Sequence, residues 1–185
     1  SAAPSPTSSK LALTTTLNKG DIAFIVDTTG SMGGTITGLR TSLSTTIIPA
    51  LKTRIPDLGV GVAGHDDVPY SGYGSAASGD QAFYIAGSPS GFVTTVTATS
   101  QTAANSLVTH YGVDGPESNV LAMYKALTGA ALTWPGGALA ADAPPAGTFG
   151  AMRFRSDALP IVMNLTDIVG HNGKRALDKT GTSYS

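Results

Sequence analysis

Asp27, Thr29 and Ser31 stand at alternate positions in DIAFIVDTTGSM, residues 21 to 32, an acid and two hydroxyls directly behind an apolar run. Farther along, the loop VDGPES carries Asp114 and Glu117 ahead of a helical pattern, and a second apolar run, ending in NLTD, closes on Asp167. Two carboxylates, Asp27 and Asp167, two hydroxyls and a third acid from Asp114 or Glu117 make an all-oxygen set. Such a set suits Mg²⁺, Mn²⁺ or Ca²⁺ over zinc or copper. Taken alone, Asp27 reads equally well as the cap of the following helix, where Asp, Ser and Thr are all favoured. The other acids tip the balance, because carboxylates gathered at one edge must be neutralised or solvated.

The elements that would gather them are readable from periodicity. Ile22 to Val26 is a continuous apolar run bounded by Gly20 and Gly30, the pattern of a strand covered on both faces in a parallel sheet. After Gly33-Gly34, Ile36, Leu39, Leu43, Ile47, Ile48 and Leu51 recur at spacings of three and four, which predicts a helix ending before Arg54-Ile55-Pro56. Asp27 therefore falls at the carboxyl end of a strand, where open α/β sheets place their ligands. Leu58 to Ala63 predicts a second strand and Gln81 to Ala86 a third, paired antiparallel because loop, not helix, connects them. The Thr-rich stretch from Phe92 to Val108 predicts a helix in its later half, with Ala103, Ala104, Leu107 and Val108 on it. Val120, Leu121, Tyr124 and Leu127 form another helical stripe after the turn at Pro116. Residues 129 to 157 have Gly and Pro but no period and read as a surface excursion. Leu159 to Leu165 is then a buried strand ending at Thr166-Asp167. The order β-α-β-β-α-α-β predicts one α/β layered domain over residues 20 to 185, behind a Ser/Ala/Pro-rich segment at 1 to 19. If the two acid-bearing strands are parallel neighbours, Asp27 and Asp167 sit side by side.

Composition narrows the partners. The chain of 185 residues is 41% hydrophobic but only 12% charged, with a net charge of −1, so hydroxyls more than ions solvate its surface. That balance gives no general attraction for nucleic acid or an anionic membrane. Cysteine is absent, which rules out disulfides and thiolate metal sites. No segment approaches the roughly 20 apolar residues of a membrane span. The opening SAAPSPTSSK resembles a linker or the stretch behind a removed leader, which points toward an exported bacterial protein, extracellular or at the cell surface.

Asp27-Thr28-Thr29-Gly30-Ser31 resembles the DxSxS signature of von Willebrand factor A (vWA) domains, whose metal-ion-dependent adhesion site lies at the top of a Rossmann-like, mostly parallel sheet with helices on both faces. Thr29 stands where the family has its middle serine and keeps the hydroxyl. Asp114-Gly115-Pro116-Glu117 resembles the D-x-P-E loop of the integrin β-type variant, which implies Glu117 as a direct ligand, and Asp167 matches the acid that closes the site, often through water. Gly61-Val62-Ala63 followed by Asp66-Asp67-Val68-Pro69 resembles the family's second strand and its exit loop. The resemblance implies a divalent cation completed by a carboxylate from a protein ligand, hence an adhesion module and not an enzyme. Glu117 would lower the net charge of the site and weaken the pull on that carboxylate, making ligand affinity depend on the ion. Met32-Gly33-Gly34-Thr35 lacks the acids of the adjacent calcium site, and Gly112 replaces the asparagine of the site on the other side. The resemblance covers roughly residues 20 to 170, and the family's sheet continues beyond the strand matched by NLTD. It therefore implies that a carboxyl part is missing, cleaved or supplied by another subunit.

Other readings of the same residues are weaker. An aspartic protease needs D-T-G-S without the extra threonine, and needs it twice. A subtilase would pair IVDTTG with the serine loop GTSYS at residues 181 to 185, but no helix follows that loop and no H-G-T histidine is present. A haloacid-dehalogenase-type phosphatase needs an acid where Thr29 stands. A vWA-like scaffold in a larger surface assembly, with no use for the ion, is the working alternative. Asp66 and Asp67 read as solvated loop acids, His65, His110 and His171 as surface residues, and Tyr73 and Trp134 as loop aromatics that pack locally. The glycosylation sequon at Asn164 falls in a buried strand and reads as chance.

Overall fold

The computed structural model describes residues 17–70, 72–113 and 115–171. At its centre is a mixed four-stranded sheet. Strand β1 (Lys19–Asp27) pairs in parallel with β2 (Asp57–His65) on one side and with β8 (Leu159–Leu165) on the other, while the two-residue β3 (Tyr84–Ile85) runs antiparallel to β2. The expected parallel sheet with one antiparallel edge is thus present. Ala23, with Val162 opposite it on β8, is directed to one face and Phe24 to the other, so the period of two splits β1 between two cores.

Ile22, Phe24 and Val26 bury against a helical layer on the first face. That layer holds α1 (Gly33–Ser42), a π-helical turn at Leu43–Ile47, α2 (Ile48–Lys52) and α3 (Thr97–Ser106). The long apolar stripe predicted one uninterrupted helix, and the π turn is where it differs. Pro49 has no N–H to give a carbonyl four residues back, and the amide of Ile48 bonds instead to the carbonyl of Leu43. The exposed side of α1 carries a hydroxyl ladder: Thr37 Oγ1 donates to the Gly33 carbonyl (2.8 Å), Ser42 Oγ to Gly38 (2.6 Å) and Thr45 Oγ1 to Thr41 (3.0 Å).

On the second face Ala23 and Ile25 meet α4 (Asn119–Thr128), whose Ala122 and Ala126 let the helix approach closely. Gly129 ends α4 in the left-handed conformation (φ 66°), and the buried Lys125 Nζ reaches the carbonyls of Gly129 and Ala130 and the carboxylate of Asp142 at 2.6 Å. The excursion beyond holds two small hairpins, β4 (Leu132–Trp134) with β5 (Gly137–Leu139), and β6 (Thr148–Phe149) with β7 (Phe154–Arg155). It is not all surface, because Ala151, Met152 and Phe154 are fully buried in the second core. Strand β8 also departs from expectation: it is the sheet's edge among the described residues, half-buried instead of buried, with Leu159 and Met163 exposed.

The amino-terminal ends of the strands are tied by charge. Arg155 donates through its backbone N–H (2.7 Å) and Nε (2.8 Å) to the fully buried Asp21, and its Nη1 pairs with Asp57 at 2.6 Å. Lys19 pairs with Asp157 at 2.5 Å. No helix among the described residues is long and apolar enough to cross a membrane.

Candidate metal centre

The parallel register brings the two acid-bearing strand ends together. Val26 lies opposite Leu165, so Asp27 and Asp167 leave adjacent strands at the same edge. A short 3-10 turn at Gly30–Met32 then lifts Ser31 out of the sheet before α1 begins. Thr29, Gly30 and Ser31, with Tyr111, Gly115, Glu117, Asp167 and Ile168, line one cleft of about 340 Å³. Four expected ligands, Thr29, Ser31, Glu117 and Asp167, therefore share one cavity. Ser31 Oγ donates to Asp167 Oδ1 at 3.2 Å, closing the gap between the two loops.

Asp27 lies apart from the cleft lining. It is fully buried; its Oδ1 accepts from the backbone N–H (2.9 Å) and hydroxyl (2.7 Å) of Thr29, and its Oδ2 from the Thr166 hydroxyl at 2.8 Å. A hydroxyl that donates to a carboxylate leaves its lone pairs free and becomes a better oxygen donor to a cation. Among the described residues no lysine or arginine pairs with Asp27 or Asp167. His65 faces Asp27 across the sheet register, yet burial pushes its imidazole below its ordinary value of 6.5 despite the attraction of Asp27. Its neutral form adds no positive charge there.

Gly112 packs between Thr29 and Glu117. Its φ is 66°, and a Cβ at that position would lie 3.1 Å from Thr29 Cγ2 and 3.2 Å from Glu117 Oε1. A side chain there would be strained by the conformation and crowded by both neighbours. Glu117 is nearly buried, and its backbone N–H donates to the Val169 carbonyl (3.2 Å) while its carbonyl accepts from the His171 N–H (3.0 Å). This clasp fixes the Asp167 loop against the start of α4. The expected ligand Asp114 lies outside the described residues, as does the GTSYS stretch.

Asp66 and Asp67 are not solvated; both are fully buried and serve as anchors. Asp66 accepts from the Thr28 hydroxyl (2.6 Å) and the Gln81 N–H (3.0 Å) and contacts His110 Nδ1 at 2.8 Å, and burial raises its carboxyl above the usual range. Asp67 contacts His171 Nε2 at 2.7 Å. Asp80, unnoticed in the sequence, is also buried and accepts from the N–H groups of Tyr111 and Gly112, both at 3.2 Å. The three histidines are correspondingly interior or partly buried, not superficial. Tyr73 is buried and packs edge-on against His171 with ring centres 5.3 Å apart.

The donor set fits a hard cation in kind, with hydroxyls and carboxylates on one cleft and no nitrogen or sulfur among them. It is a mixed set: among the described residues no three His, Asp or Glu side chains close on one point as a ligand cluster. Fold and cleft together define a class, an α/β domain with an acid-and-hydroxyl cleft at the carboxyl edge of its parallel strands. The chain matches no family model, and no curated protein shows significant similarity to it.

Proposed function

We propose that the chain is a vWA-like adhesion module that holds Mg²⁺, Mn²⁺ or Ca²⁺ in this cleft and binds a carboxylate of a protein partner there. One observation carries the reading: a fully buried aspartate, Asp27, is paired with no lysine or arginine among the described residues and holds the hydroxyl of Thr29, which lines a cleft with Ser31, Glu117 and Asp167. Hydrogen bonds from Thr29 and Thr166 satisfy that carboxylate, and a cation held through Thr29 adds the positive charge that no lysine or arginine brings there. Thr29, Ser31, Glu117 and Asp167 would hold the ion, with Asp27 behind Thr29. A bound divalent ion supplies a positive centre with a coordination position left for the partner's acid. An exported, surface-exposed location suits such a module.

The second reading is a vWA-like scaffold that does not use an ion, and the absence of a compact carboxylate cluster among the described residues favours it. Isothermal titration with Mg²⁺, Mn²⁺ and Ca²⁺ separates the two. Saturable binding that Asp27→Ala abolishes, in a variant that still folds, supports adhesion. No binding by the parent chain supports the scaffold, and an unchanged titration in the variant overturns the assignment of the ion to this cleft.

A further inference from the structure

The two loops that lend Tyr111 and Ile168 to the cleft carry apolar side chains that the fold holds out in water. Tyr111 is 76% exposed, Val113 50%, Ile168 42% and Val169 69%. Tyr111 and Ile168 line the cleft from two different loops, and Val113 and Val169 follow them along those loops.

Neither loop is loose. The Tyr111 loop is pinned by the His110 N–H on the Thr28 carbonyl (2.7 Å), by the Tyr111 and Gly112 N–H groups on buried Asp80, and by the Val113 N–H on the Tyr73 carbonyl (3.1 Å). The Ile168 loop is pinned by the clasp with Glu117 and by His171 on buried Asp67. Buried acids thus fix the backbone of both loops while their large apolar side chains point away from the core. Isolated exposed apolar residues need no explanation, but two on the lining of one polar cleft, each followed closely along its loop by an exposed valine, make a rim of the kind that marks a protein contact. An aromatic side chain on a fixed backbone loses little entropy on binding.

Resting on the reading of the cleft as a cation site, we propose that the partner presents its acid between large apolar side chains on an extended segment. The acid enters the cleft, and its neighbours on either side cover the Tyr111–Val113 and Ile168–Val169 loops. The polar cleft selects the carboxylate and the rim selects the flanks, so a free carboxylate or an acid among small polar residues binds weakly.

The test uses two labelled peptides with a central glutamate, one flanked by phenylalanines and one by serines, followed by fluorescence anisotropy with saturating Mn²⁺ and again with EDTA. The parent chain is expected to prefer the phenylalanine-flanked peptide by about tenfold or more, the effect of burying one large apolar side chain. The preference should vanish with EDTA and shrink toward parity in the Tyr111→Ser/Val169→Ser double variant, whose Mn²⁺ titration reports separately on the cleft. If that variant does not fold, Val169→Thr, close to isosteric, with Tyr111→Ser takes its place. Equal affinity for the two peptides in an ion-binding parent overturns the rim and leaves the cation site standing. A preference that survives the substitutions or EDTA overturns it too. No Mn²⁺ binding by the parent overturns both.

Discussion

The two edges of the sheet treat their carboxylates in opposite ways. At the amino-terminal edge Asp21, Asp57 and Asp157 meet Arg155 and Lys19, so the chain supplies its own cations. At the carboxyl-terminal edge Asp27 and Asp167 hydrogen-bond, among the described residues, to hydroxyls and an N–H, and the imidazoles of His110 and His171 hold Asp66 and Asp67 instead. The difference separates acids whose partners are built in from acids that leave room for something else. A buried pair is costly to break and often not costly to replace, so the first edge is structural. The second edge is where a function fits.

Breaking the built-in edge should have the largest effect. Arg155→Met leaves Asp21 buried and charged without its partner, which should cost about 3–5 kcal/mol of stability in urea unfolding. A loss no larger than that of an exposed surface pair, up to about 1 kcal/mol, would erase the contrast between the edges. Next, a divalent ion at a hundredfold excess over its dissociation constant should stabilise the parent by about 2.7 kcal/mol, reversibly on chelation. The same addition should do far less for Asp27→Asn. Removing the Asp27 charge should weaken ion affinity by roughly 10–100-fold, since it acts behind Thr29. In EDTA that variant should unfold at no lower urea concentration than the parent, the reverse of the Arg155 result.

The smallest effect concerns pH. Burial lowers the folded-state pKa of His65, so the unfolded chain binds the proton more readily. Stability from neutral His65 is therefore complete above 6.5 and is lost as pH falls below it toward the lowered folded value. Urea midpoints at about pH 7.5 and 5.5 should differ less in His65→Gln than in the parent. Asp57 and Asp157 have lowered values through Arg155 and Lys19, so their contribution persists to lower pH and fades only as pH falls below 3.8. The two edges thus weaken in different pH windows.

The principal strands and helices along the chain and the antiparallel pairing of β2 and β3 were legible because long apolar runs and connection lengths carry that information, whereas the adjacency of β1 and β8 entered only as a condition that the structure meets. Of the six ligands that the resemblance implied, Thr29, Ser31, Glu117 and Asp167 line one cleft, Asp27 lies behind Thr29, and Asp114 falls outside the described residues. The acids behind the cleft were not legible. HDDVPY is polar in every local window, and only closure of distant segments buries it, with His110 and His171 lying 44 and 104 residues away from the acids they meet. The hairpins of the excursion were invisible because two- and three-residue strands are too short to show alternation. Half-burial of β8 was equally hidden, since an apolar run does not reveal how many neighbours its strand has.

The hydroxyl ladder on α1 has a consequence for how the molecule meets its surroundings. Where Thr37 and Thr45 turn their hydroxyls onto their own backbone, they do not offer those protons outward, and no charge replaces them. A helix clad this way is chemically quiet, a poor foothold for stray polyelectrolytes and indifferent to ionic strength. At those positions the helical layer offers a passing molecule neither a free proton nor a charge to grip.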